Sequence, residues 1–231
     1  MRQGFDPMTI AQSVLQRAMV MERRIPARKL VFVECHPEYV DDYIDELRRE
    51  LDDLNIEIHG LLTTSLPACV KGKIPEARVL VEADYVMSTL YHFEFVQRTV
   101  APLKQRVVAL SHTIDKDALY KIVSLPQDVR FGVILGPHDP APAIVRTLEF
   151  YRDLPPGFIP YAVISDVRAV RRLKAKADVI AYTAACKDQI GSLVGEDGNA
   201  ILVRFVPDDE AVRKIRTLLG TPRPGESTSK S

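Results

Sequence analysis

The sequence lacks an excess of charge of either sign: 31 lysines and arginines balance 31 aspartates and glutamates over 231 residues. Nucleic-acid binding draws on clustered cations, so recognition of DNA or RNA through an overall field is disfavoured. Cysteine is scarce. Cys35, Cys69 and Cys186 lie far apart with no CxxC, which points to reduced thiols rather than a disulfide framework. No apolar run approaches the roughly 20 residues that span a bilayer, and the N-terminus has no basic start followed by an apolar core of secretory type. A soluble, cytoplasmic chain without a membrane partner is expected. GxGxxG and GxxxxGK[ST] are both missing, which disfavours an ordinary dinucleotide fold and a P-loop. No cofactor is expected.

What is present is a globular composition, 46% apolar and 27% charged, in a chain long enough for one large α/β domain or two small lobes. Apolar runs of strand length alternate with helical patterns about eight times, the rhythm of a parallel sheet covered by helices on both faces. KLVFVE (Lys29 to Glu34) reads as the first strand, and PEYVDDYIDELRRELDDL as a helix with Val40, Ile44, Leu47 and Leu51 on one face. Ile56 to Leu62, the stretch from Ala83 to Thr89, RVVALSHT, VRFGVILG, FIPYAVIS, DVIAYTA and AILVRFVP continue the series. Gly72 and Pro75 interrupt Leu66 to Ala77, where a turn or loop is expected. Before the first strand, Asp6 and Pro7 open an amphipathic helix whose stripe is Ile10, Val14, Leu15, Ala18 and Met21. The polar tail from Thr221 is expected to be disordered.

The strands end repeatedly in small hydroxyl or imidazole residues: Glu34-Cys35-His36, Thr63-Thr64-Ser65, Ser88-Thr89, Ser111-His112-Thr113, Ser165-Asp166 and Tyr182-Thr183. In an open α/β sheet such ends line the crevice where ligands bind, although each residue alone also suits a helix N-cap. Thr64, Ser88, Thr89, His92, Ser111, His112 and Thr183 are the candidate ligand-binding residues. The five histidines come without HxH, HExxH or a carboxylate set, so hydrogen bonding is the expected role and no metal site is assigned. No GxSxG elbow marks a nucleophilic serine. Arg204 sits inside the apolar run AILVRFV, where a guanidinium needs a carboxylate or a ligand anion, and Asp208 or Asp178 is expected to serve ahead of a ligand. Cys35 and Cys186 follow strands in different halves and leave open a second reading, a cofactor-independent racemase with two facing thiols. Their neighbours, VECHPE and TAACKDQ, do not favour it.

GFDP before the first helix, KLVFVECHPE, ADYVMSTLYHFEFV, VVALSHTIDKDAL and ILVRFVPDDEAVRKIRTLL together resemble the C-terminal, periplasmic-binding-protein-like sensor domain of bacterial GntR-type transcription regulators. The resemblance runs to about Leu219. It implies residues 1–27 as a linker helix, two Rossmann-like lobes at 28–125 and 126–220, and a tail at 221–231. It also implies a small-molecule effector held between the lobes and a homodimer formed through the N-terminal helix. DNA would be contacted only through a winged helix that this chain does not contain. On this reading the protein is a sensor without catalytic residues.

Overall fold

A computed structural model describes residue 8, residues 26–194 and residues 199–220. The expected linker helix and tail fall outside the described residues. Two four-stranded parallel sheets, each flanked by helices, form two lobes, and a two-stranded antiparallel ribbon joins them. The first sheet has the order β2-β1-β3-β4, from β1 (Arg28–Glu34), β2 (Ile56–Leu62), β3 (Tyr85–Thr89) and β4 (Val107–Leu110). The second has the order β7-β6-β8-β9, from β6 (Phe131–Leu135), β7 (Tyr161–Val163), β8 (Val179–Thr183) and β9 (Ala200–Val203). In both sheets the chain leaves the first strand to one side and returns to its other side, so each lobe has a switch point, at β1/β3 and at β6/β8.

Central strands read as unbroken apolar runs because both of their faces are covered. Leu30 and Phe32 of β1 face one cluster with Leu47, Leu51 and Met87, while Val31 and Val33 face another with Leu66, Leu80 and Val96. Helix α1 (Pro37–Glu50) starts where Pro37 supplies the fixed φ of a first turn and stops at Leu51. It buries Val40, Tyr43, Ile44 and Leu47. Gly60 of β2 makes that seat possible, since a Cβ there would stand 2.2 Å from Val40 Cγ1. The close approach carries Tyr39 and Tyr43 to the edge of the cleft. Leu66 to Ala77 holds a five-residue helix, α2 (Leu66–Val70), that ends at Gly72 in the left-handed region (φ 65°), and α3 (Ala77–Glu82) follows. Helix α4 (Phe93–Val100) covers the far side of β3.

Two runs expected to be single strands are broken. RVVALSHT gives β4 and, after Ser111, the separate β5 (His112–Ile114), and AILVRFVP gives β9 and, after Arg204, β10 (Phe205–Pro207). β5 and β10 pair antiparallel, Ile114 against Phe205 and His112 against Pro207. They are the two crossings between lobes. The packing therefore divides the chain elsewhere than at the expected Leu125–Pro126 boundary. Helix α5 (Lys116–Val123) puts Ala118 and Ile122 in the second lobe's core beside Phe131 and Leu148. The last helix, called α9 below (Asp209–Gly220), puts Ala211 and Ile215 in the first lobe's core.

An aspartate fastens each crossing. Asp115 accepts the Ala118 amide at the start of α5 and the Arg204 amide of the other crossing. Asp208 accepts the Ala211 amide at the start of α9 and the Ser111 hydroxyl of the other crossing, 2.7 Å away. Arg204 faces Asp115 at 3.5 Å, not the expected Asp208 or Asp178. Asp178 is held instead by Arg130. The remaining helices, α6 (Ala141–Tyr151), α7 (Val167–Lys174) and α8 (Lys187–Val194), belong to the second lobe. Among the described residues no helix is long and apolar enough to cross a membrane.

Candidate functional site

The first lobe's switch point is built on Glu34, the last residue of β1. One step beyond the Val33–Ser88 pairing of β1 with β3, it lies beside Thr89, and the turn out of β3 brings His92 over it. The Glu34 carboxyl is buried and satisfied on both oxygens. Oε1 takes the Cys35 amide at 2.8 Å and His92 Nε2 at 2.5 Å, and Oε2 takes the Thr89 hydroxyl at 2.7 Å. Burial alone would raise its pKa, but the hydrogen bonds and charge of His92, with the Thr89 hydroxyl and the Cys35 amide, hold it below the ordinary carboxylate value. Tyr91 stands edge-on to His92.

Over this floor is a cavity of about 60 Å³, walled by Phe32, Tyr39, Tyr43, His112, Ile144 and Phe205. Tyr43 stacks flat on Phe32 with centroids 4.3 Å apart and donates to the Ser111 carbonyl at 2.8 Å. The other wall comes from the second lobe. There Asp139, with no exposed side-chain surface, accepts the Tyr39 hydroxyl on Oδ1 and both the Gly136 amide and the Thr183 hydroxyl on Oδ2, each at 2.6 Å. Tyr39 is thus tied across the cleft to the second switch point. Desolvation and then the Asp139 charge push the Tyr39 phenol well above its usual range, so it stays a donor.

Two lobes, joined by a two-strand crossing and clasped by the Tyr39–Asp139 contact, enclose a cleft over a buried carboxylate. No protein-family model and no curated protein matches the chain. Among solved structures, a LacI-family transcription regulation repressor chain from Corynebacterium glutamicum is similar: 13% identical, TM-score 0.43, covering 85% of this chain and 92% of that one. So distant a likeness decides nothing about the site. The chain's own sheets and side chains do.

Of the seven hydroxyl and imidazole residues singled out from sequence, Thr89, His92 and His112 line the cavity. Thr64 is exposed in the turn after β2. Ser88 is buried within β3 and donates to the Thr89 carbonyl, because the pleat turns alternate residues to opposite faces. Ser111 is spent on Asp208 at the crossing, and Thr183 is buried beneath the clasp on Asp139. Glu34, Tyr39, Tyr43, Asp139, Ile144 and Phe205 were not singled out. The one signal for Glu34 was its place in a strand ending, ECH, while the aromatic walls come from a helix and a crossing strand that a search of strand ends does not visit.

A larger groove of about 700 Å³ runs along the crossing strands, among Glu46, Arg49, Glu50, Asp117, Arg204 and Asp209. Its charges are mixed and several are already used in the capping and pairing of the crossings, which makes it a solvated face rather than a built site. The two-thiol racemase is not supported. Cys186 is fully buried in an apolar cluster with Ile134, Ala162 and Val170, its sulfur against Thr183 and the Ile134 carbonyl. It does not line the cavity that Cys35 lines. Burial pushes the Cys186 thiol up to about 11 and Cys35 higher still, so neither is a thiolate at neutral pH.

Proposed function

We propose that the chain is the effector-sensing domain of a transcription regulator, binding a small polar metabolite between its two lobes. The observation that carries the reading is the closure of a cleft over a polar floor of Glu34, Thr89 and His92, with aromatic walls drawn from both lobes. A pocket of that composition suits a compact ligand with one strongly hydrogen-bonding end and an apolar body. The regulator half of the proposal rests on the sequence resemblance to GntR-type sensor domains. Pairing through the stretch before β1, and DNA contact through a separate winged helix, belong to the same proposal.

Volume sets how the ligand must enter. The closed cavity is about 60 Å³. Metabolite pockets run to roughly 300–1,000 Å³, so the Tyr39–Asp139 clasp opens to admit the effector. Binding then shifts the balance between open and closed forms by the difference in its affinity for them. Differential scanning fluorimetry against a panel of amino acids, sugars, polyamines and carboxylates tests this. At about 100 times its Kd, a ligand of the native state adds roughly 2.7 kcal/mol, a plain rise in melting temperature. A panel with no rise at millimolar concentration, or a rise unchanged by Thr89→Val and His92→Gln, removes the proposed site.

A further inference from the structure

Three chemically different donors converge on the cleft floor. The carboxylate of Glu34, the thiol of Cys35 and the imidazole of His92 each offer one atom, and the three atoms lie within 4.8 Å of one another. All come from the first lobe, so their convergence does not depend on how the lobes are placed. We propose that they form a binding site for a divalent transition cation of the zinc class, with a fourth coordination position open to the cavity.

The donor set argues for that class. A mixture of sulfur, nitrogen and oxygen suits zinc or cobalt, whereas calcium and magnesium take oxygen alone. In a tetrahedral zinc site, bonds of about 2.0–2.3 Å place ligand atoms roughly 3.6 Å apart. The 2.5 Å contact between Glu34 and His92 would open by about an ångström to reach that spacing, and the sulfur already lies within 4.8 Å of both partner atoms. The outer sphere is already in place: the Thr89 hydroxyl and the Cys35 amide fix the carboxylate, the kind of support that orients metal-bound ligands. The cavity over the three donors, about 60 Å³, leaves room for a cation and one small ligand.

Three protein donors with one open position are the arrangement of zinc sites that exchange their fourth ligand. Binding trades a proton for the cation. The Cys35 S–H bond breaks as the metal–sulfur bond forms and its proton leaves to solvent, while His92 binds as the neutral ring, with the nitrogen facing Glu34 bare and the proton on the other nitrogen. A search for short ligand spacings misses such a set, because Glu34 and Cys35 are adjacent while His92 arrives from the far end of another strand.

Cobalt reports the site directly. The full chain, stripped with chelator and titrated with Co²⁺, is expected to show a thiolate-to-metal charge-transfer band in the near ultraviolet and four-coordinate d–d bands, saturating at one equivalent and bleached by Zn²⁺. Cys35→Ser abolishes the charge-transfer band, and His92→Gln weakens zinc by more than the roughly 10–100-fold that losing an outer-sphere partner costs. Cys69→Ser and Cys186→Ser leave the spectrum unchanged, and circular dichroism of each sample shows that it is folded. Absence of the band in the wild-type protein overturns the proposal, as does a band that survives Cys35→Ser or vanishes only with another cysteine. The proposal stands apart from effector sensing, since a silent metabolite panel leaves the cobalt spectrum as it is.

Discussion

Glu34 holds together the turn after β1 and the turn after β3, and its removal separates that role from simple burial. Glu34→Gln keeps the shape but loses the charge that faces His92. Hydrogen bonds to a charged group contribute about 1.5–3 kcal/mol, so urea denaturation at neutral pH is expected to show a loss of that order. Acid narrows the difference. A carboxyl whose folded pKa lies below its ordinary 4.5 contributes stability that is intact above that value and is lost as pH falls through the folded pKa. The two proteins therefore converge in stability well below pH 4.5, and a gap that persists at the lowest pH would show that the charge is not what Glu34 supplies. His112 titrates in another window. Desolvation beside Phe205 lowers its pKa from 6.5 despite the partly offsetting charges of Glu34 and Asp208, so stability present above pH 6.5 falls as the ring is forced to charge. His112→Asn is expected to flatten the pH dependence below 6.5 without touching the Glu34 window. Three of the seven residues chosen from sequence line the cavity, because a strand-end rule finds the edge of a sheet but not the face of the pleat. It could not know that Ser88 points inward, or that Ser111 and Thr183 were already taken by Asp208 and Asp139.

Helix α1 is the element that brings Tyr39 and Tyr43 to the cleft, and one glycine sets its depth. Gly60→Ala would place a methyl 2.2 Å from Val40 Cγ1 and 3.2 Å from Ile44 Cδ1. The helix must ride outward, at the roughly 1–3 kcal/mol typical of overpacking, and both tyrosines move with it. Gly191→Ala in α8 is the matched control. Nothing stands within 4 Å of its added methyl, and the stiffer helix is expected to gain about 0.5–1 kcal/mol. Chemical denaturation of the pair checks both signs, and an unperturbed Gly60→Ala would mean that α1 is not seated as closely as its contacts show. Helices of this kind were legible in the sequence: the stripe of Val40, Ile44 and Leu47 and the opening Pro37 define α1 on their own. The crossings were not legible. RVVALSHT and AILVRFVP are continuous β-type runs, and nothing local shows that the chain leaves one sheet at Ser111 and returns at Arg204. Only the pairing of β5 with β10, between residues about 90 positions apart, breaks them. The same blindness displaced the expected lobe boundary, since α5 and α9 look like any helix that follows a strand.

At the scale of the whole molecule the question is what holds two lobes together across a cleft with so little in it. Each crossing is latched by an aspartate, and on the proposed opening and closing of the lobes the Tyr39–Asp139 contact is what holds the closed form. Tyr39→Phe removes the one hydroxyl and leaves Asp139 its bonds to Gly136 and Thr183, so the second switch point survives intact. A hydrogen bond to a charged group contributes about 1.5–3 kcal/mol, and a shift of about 1.4 kcal/mol changes an open-to-closed ratio tenfold. The variant should populate an open form, with a larger radius of gyration in small-angle scattering. An effector that draws the lobes back together after entering must then supply that free energy, so its affinity falls by roughly tenfold or more while saturation brings the radius back toward the wild-type value. Ser111→Ala, which loosens the hinge latch on Asp208 but not the clasp, is expected to keep the wild-type radius. If Tyr39→Phe is as compact as the parent chain, the lobes are held by the packing of Tyr39 against Phe205 and by the ribbon, and closure would then be built into the crossings rather than set by a single phenol.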